Sequence, residues 1–178
     1  MGSKRKKTVL KVTRISENLD HLLEKDATEK RVSVNSLINA ILTRYSEWDR
    51  YTEKFGFVSI TRDAFRSIID STDEVKLAEV ARDVGGRQVQ ELSTFWFQRF
   101  SIETFLSLLS LFSKYGGVGE YELATEGRNY VITMHHDMGD KWSSWLRSLW
   151  DQALRYALRI IPSIETTSSS VVFRFTLP

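Results

Sequence analysis

Apolar residues along the chain switch repeatedly between alternating and helical spacing. Thr8-Val9-Leu10-Lys11-Val12-Thr13 is a short β-favouring run in which Leu10 and Val12 alternate with Lys11 and Thr13. Behind Ser16, a natural helix cap, Leu19, Leu22, Leu23 and Ala27 recur at helical spacing. After the polar break Glu29-Lys30-Arg31, Ser33 can cap a second helix that sets Leu37, Ile38, Ile41, Leu42 and Tyr45 on one face. This helix should run on through Glu47 and Trp48 towards Lys54, with Gly56 breaking it.

Beyond Gly56 the pattern is first helical and then alternating. Phe57-Val58-Ser59-Ile60 is a candidate strand, and Thr61 can cap a helix carrying Phe65, Ile68 and Ile69. Ser71 or Thr72 should start the next helix, with Gly85-Gly86 ending it. Arg87 to Phe100 is dense in apolar residues, and Ser101 can cap a further helix that ends at Gly116-Gly117. Tyr121 to Ala124 and Tyr130 to Met134 flank the turn Glu126-Gly127-Arg128-Asn129, which predicts a hairpin. Trp142 to Ile160 is an amphipathic helix stopped by Pro162, and Val171 to Leu177 alternates as a last strand. The expected class is α+β: residues 55–178 hold several helices followed by β-β-α-β, the helices lying on one face of a small antiparallel sheet.

The first strand has no partner within the first fifty residues, and its backbone groups need one. Pairing with the same strand of a second molecule about a two-fold axis satisfies them. One strand and two amphipathic helices per chain, dimerised in this way, make an intertwined ribbon-helix-helix. Over about residues 8–48 the chain resembles that DNA-binding family, which includes the Arc and methionine repressors. The likeness lies in Arg14-Ile15-Ser16-Glu17-Asn18-Leu19, similar to the family's strand-to-helix junction, and Ser33-Val34-Asn35-Ser36, similar to the start of its second helix. The resemblance implies a ribbon in the major groove whose outward side chains read bases. Alignment by the helix would turn Val12 and Arg14 to the groove, whereas hydrophobic alternation turns Lys11 and Thr13 there. Burying Lys11 in a small dimer core is costly, which favours Lys11 and Thr13, with Arg14 in reach in either register. The dimer core would then hold Leu10, Val12, Leu19, Leu22, Leu23, Leu37, Ile38, Ile41 and Leu42.

Net charge is only +2, but Lys4, Arg5, Lys6, Lys7, Lys11 and Arg14 crowd the first fourteen residues with no acid among them. The expected organisation is a basic arm, 1–7, a dimerisation and DNA-binding domain, 8–54, and a sensor or oligomerisation domain, 55–178. Lys4 to Lys7 would meet phosphates, as would Ser33 and the backbone amides of Val34, Asn35 and Ser36. The absence of cysteine excludes disulfides and thiolate chemistry. No apolar run is long enough for a membrane span, and no apolar segment follows the N-terminal basic residues as in a secretory signal. A cytoplasmic, nucleoid-associated protein is expected.

In the second domain, His135-His136-Asp137 concentrates the titratable groups. Adjacent strand residues point to opposite faces, so the two histidines do not readily share an ion, and no metal or cofactor is expected. Instead one histidine and Asp137 should shape a strand-to-helix turn, Gly139 supplying a backbone angle and Asp140 or Ser143 capping the helix. The spacing His136-x-x-Gly139-x-x-Trp142-Ser143 resembles a pattern in archaeal proteins of this build and implies no activity. Trp142, Trp145 and Trp150 at helical spacing fit a core better than a ligand pocket, and Trp142 and Trp145, near the helix start, are also placed for a dimer contact. No phosphate-cradling glycine loop, metalloprotease motif or nucleophile elbow is present, and an enzyme is not expected.

These features together predict a homodimer, or a tetramer, that binds double-stranded DNA sequence-specifically as a transcriptional regulator. A small molecule or a protein would act as effector at the second domain. In nickel-responsive relatives such a domain senses metal, but this chain lacks their cysteine and spaced histidines. The alternative is a protein-interaction module, antitoxin- or adaptor-like, that uses the ribbon-helix-helix only to dimerise.

Overall fold

The computed structural model describes residues 9–117 and 119–177, and the chain is an α+β protein. It divides into two compact units, Met1–Ser46 and Glu47–Pro178. This division falls ahead of the 54/55 boundary expected from the sequence. The cause is aromatic: Trp48 belongs to the core of the second unit, and Tyr51 and Phe55 pack against that core.

The first unit consists of α1 (Glu17–Glu29) and α2 (Val34–Arg44). The Ser16 hydroxyl accepts from the amide of Leu19, and that of Ser33 from the amide of Ser36, so both expected caps are present. Between the helices the Arg31 amide donates to the Thr28 carbonyl and the Val32 amide to that of Ala27. This is a Schellman turn, with Arg31 in the left-handed region at φ 55° where glycine is usual. The strand expected at Thr8–Thr13 is not formed within the chain: Thr8 lies outside the described residues, and Val9–Thr13 carries no ladder. A lone strand has nothing in its own unit to pair with.

The division between the units lies in a π-helical turn, Tyr45–Asp49. In the second unit α3 (Arg50–Phe55) ends at Gly56, whose φ is 84°. Phe57–Ile60 is not the strand its composition suggests. It is irregular, and the Phe57 ring packs 5.7 Å from Trp48 and 6.1 Å from Trp96. Thr61 caps α4 (Arg62–Ser71) as expected, but α5 (Glu74–Asp83) is capped by Asp73 rather than Ser71 or Thr72. One carboxylate oxygen of Asp73 takes the amides of both Val75 and Lys76, at 3.0 and 3.2 Å. An anion suits a helix start better than a hydroxyl. The Ser71 and Thr72 hydroxyls instead donate back to the Ile68 carbonyl.

Gly85-Gly86 does not end α5 against a loop. A π-helical turn, Val84–Gln88, carries the chain into α6 (Val89–Phe97). Gly85 is needed for close approach, because a Cβ there would lie 2.1 Å from the Leu149 carbonyl oxygen. Gln98, at φ 60°, stops α6 short of Phe100. A reciprocal capping box between Ser101 and Thr104 then starts α7 (Ile102–Tyr115), which ends at Gly116.

The hairpin forms as expected, with β1 (Glu120–Glu126) and β2 (Asn129–His135) joined through Gly127-Arg128. After α8 (Asp140–Gln152) and a third π-helical turn, Ala153–Ala157, two strands follow: β3 (Ser163–Thr166) and β4 (Ser170–Thr176). β3 was not anticipated, so the ending is β-β-α-β-β. The antiparallel sheet has the order β1-β2-β4-β3. Ile132 and Met134 of β2 and Val171, Phe173 and Phe175 of β4 are buried, while His135, Arg174 and Thr176 alternate to the opposite face and stay exposed. Along β1, Glu120, Glu122 and Glu126 are likewise exposed. Among the described residues no helix is long and apolar enough to cross a membrane.

Candidate nucleic-acid interface

The first unit buries little of its apolar surface. Ala27 and Leu37 are its only fully buried apolar side chains among the described residues. Leu23 and Ile38 are half-buried. The other expected dimer-core residues are open: Leu10 is 89 % exposed, Val12 88 %, Leu22 59 % and Leu42 58 %, with Leu19 and Ile41 close behind. Two short helices cannot cover these positions alone, and the unit leaves a wide apolar face open.

Lys11, Thr13 and Arg14 are exposed beside Leu10 and Val12, so neither strand register is fixed within the chain. Lys4, Arg5, Lys6 and Lys7 lie outside the described residues. At the start of α2, Ser33 uses the amide of Ser36, and the Ser33 and Ser36 hydroxyls bond at 2.8 Å. The first turn of α2 has no acidic residue, whereas α1 carries Glu17 and Asp20 in its first turn. The positive end of the α2 dipole is therefore not neutralised locally, and that of α1 is. Lys30 and Arg31 are exposed in the turn just before that helix start. The sequence marked them only as a polar break; Arg31 adopts the left-handed conformation of the turn that leads into α2.

The second unit joins the residues around His136 into a brace. The Met138 amide donates to Nδ1 of His136, which assigns the ring proton to Nε2. Nε2 lies 2.9 Å from the Ser143 hydroxyl, which donates in turn to the Thr167 carbonyl at 2.5 Å. The His136 amide also donates to the Ser169 carbonyl. Ser143 therefore ties the β2–α8 turn to the β3–β4 loop and does not cap α8. Asp140 does not cap it either: the cap position is Gly139, at φ 85°, with no side-chain bond. Because Nε2 donates, His136 cannot take the Ser143 proton, so the pair is not a base and nucleophile.

Asp137 shapes the same turn from outside. Arg62 reaches its two carboxylate oxygens at 3.1 and 2.9 Å, and Arg66 donates to its backbone carbonyl. Lys141 donates to the Asp70 and Thr72 carbonyls at the end of α4. His135 points away, 3.9 Å from Glu122. Among the described residues no group of three or more histidines and carboxylates is placed to hold a metal. Trp142 and Trp150 are buried and Trp145 half-buried, with Trp142 and Trp145 stacked at 4.6 Å, so this helix face is core.

Burial pushes the His136 pKa below its ordinary 6.5; Asp137 opposes the shift and His135 adds to it. The folded protein therefore holds this ring neutral where the unfolded chain would take up a proton. Stability from the brace is full above about pH 6.5 and is lost as pH falls from there through the lower folded pKa. Thermal melts between pH 8 and 5 should show this decline, and His136→Gln should flatten it while lowering stability at neutral pH. Equal slopes in both proteins would show that the brace does not titrate in this range.

No protein-family model matches the chain, and no curated protein matches its sequence.

Proposed function

We propose that the protein binds double-stranded DNA sequence-specifically as a homodimer and regulates transcription, with a ribbon of two Val9–Thr13 segments in the major groove. The observation that carries this is the open apolar face of the first unit, set next to exposed Lys11, Thr13 and Arg14. A symmetric partner covers Leu10, Val12, Leu19, Leu22, Ile41 and Leu42, and pairs the strand that has no ladder in its own chain. Lys11 and Thr13, with Arg14, would then read bases. Lys4, Arg5, Lys6 and Lys7, Ser33, and the amides at the start of α2 would hold phosphates, joined by Lys30 and Arg31.

The test is selection of bound duplexes from random DNA by the full-length chain, followed by titration of the selected site against salt. Each neutralised phosphate contributes about −0.9 to the log-log slope. Two or three contacts per subunit give an expected slope of roughly −4 to −6. Deleting residues 1–7 should make the slope shallower and spare sequence preference, and changes at His135 should leave it alone. Duplex binding that is undetectable even at low salt would overturn the regulator and leave the protein-interaction module, in which the same dimer serves assembly only.

A further inference from the structure

β1 is the outermost strand of the sheet in the second unit and pairs with β2 alone. The two-residue turn Gly127-Arg128 is closed by the pair Glu126 and Asn129, and antiparallel pairs alternate between exchanging hydrogen bonds and not. Glu120, Glu122, Ala124 and Glu126 therefore bond to β2, and Tyr121, Leu123 and Thr125 turn their amides to the open side. The Tyr121 amide confirms this alternation, for it donates to the Ser113 hydroxyl at 2.9 Å and not to β2. The Leu123 and Thr125 amides are left for another strand. The two faces of β1 also differ. Glu120, Glu122 and Glu126 stand on the outer face, where Glu122 lies 3.9 Å from His135 and the other two have no ion-pair partner among the described residues. On the inner face Leu123 is 41 % exposed, and with Tyr121, Leu106 and Leu111 it lines a groove of about 640 Å³.

Such an edge fits an extended segment with cations on one face and apolar side chains on the other. Val9–Thr13 is a segment of this kind: Leu10 and Val12 alternate with Lys11 and Thr13, all exposed and without a ladder. Laid antiparallel on β1 with Lys11 opposite Glu122, it sets Lys7 opposite Glu126, Leu10 opposite Leu123 and Val12 opposite Tyr121. Laid parallel with Lys11 in the same place, Lys7 falls beyond the start of β1. Within a single chain both the segment and the edge stay open, so the pairing belongs between copies.

We infer that the free edge of β1 receives the Val9–Thr13 segment of a second copy as an added antiparallel strand, its lysines meeting the carboxylates of β1. Opposite charges directly across a ladder attract, whereas pairing the segment with its own like sets two lysine-bearing faces side by side. The inference stands on β1 and does not need DNA binding. On the DNA reading, a segment docked here is withheld from the ribbon.

Cysteine cross-linking tests this, since the native chain has no cysteine. The same register sets Val9 opposite Ala124, both exposed and both between the charged pairs. Full-length Val9→Cys and Ala124→Cys chains, mixed and mildly oxidised, should form a disulfide that joins one of each. Only this mixed product counts, because two Val9→Cys chains can also join in a ribbon. Thr13→Cys in place of Val9→Cys should not yield it, since Thr13 falls opposite Glu120. Glu122→Lys with Glu126→Lys in the Ala124→Cys chain should lower the yield about tenfold. Lys7→Glu with Lys11→Glu in the Val9→Cys chain should then restore it. Glu122 and Glu126 are exposed, so the reversed chains should keep the native circular dichroism. The inference is overturned if the mixed product does not form, if Thr13→Cys gives as much of it, or if the charge reversals neither lower nor restore it. It is equally overturned if a chain carrying both Val9→Cys and Ala124→Cys closes on itself at high dilution, the segment then lying on its own β1.

Discussion

Gly85→Ala should destabilise the protein by about 3 kcal/mol or more, although it replaces one helix-compatible residue by the best helix former. The added methyl would run into the backbone of Leu149: its carbonyl oxygen at 2.1 Å, its carbon at 2.9 Å and its Cα at 3.0 Å. Backbone cannot swing aside as a side chain can, so the π-helical turn and α8 would have to part. Gly86→Ala is the control. Its methyl would touch only the flexible Gln152 side chain, at 3.4 Å or more. There the gain in helix propensity, up to about 1 kcal/mol, should survive. Denaturant melts of the two variants should therefore move in opposite directions. Similar midpoints would show that the close approach between the two segments yields without cost.

The second large effect concerns assembly. On the dimer proposed above, Leu22→Glu or Leu42→Glu places a carboxylate in an apolar interface twice, once from each subunit. Dimerisation should weaken by at least roughly 100-fold, and duplex DNA binding should fail with it. Both positions are more than half exposed in the chain itself. Helical content should therefore persist while sedimentation reports a monomer. A native protein that is already monomeric, or variants that sediment as dimers, would remove the ribbon.

What the sequence revealed is what local chemistry controls. Ser16, Ser33, Thr61 and Ser101 all cap the helices expected of them, because a cap is settled within three residues. The β1–β2 hairpin and β4 were legible from a turn and from alternation. The errors arise where a distant partner decides. Gly85 was taken for a helix terminator, but Leu149 makes it a contact point. Phe57–Ile60 has strand composition, yet its aromatic ring packs beside Trp48 and Trp96 instead of joining a ladder. β3 escaped notice because Ser163–Thr166 has a single apolar residue, Ile164, and takes its register from β4. Of the candidate interface, the caps and the apolar positions could be read directly. The left-handed turn at Arg31 could not, since it has no glycine to announce it.

The order β1-β2-β4-β3 leaves β1 and β3 with a free side, and a free strand edge is a template on which other chains aggregate. Each margin carries its own deterrent. β1 sets three carboxylates in alternate positions along its length, so two such strands brought side by side would repel. β3 is four residues long and follows directly on Pro162, too short and too abruptly begun to seed a stack. The sheet of the second unit is thereby guarded against growth into fibrils. The segment Val9–Thr13, which carries no ladder in the chain, has only Lys11 to break its run of exposed β-favouring side chains, and on the dimer proposed above it is there that two chains would pair.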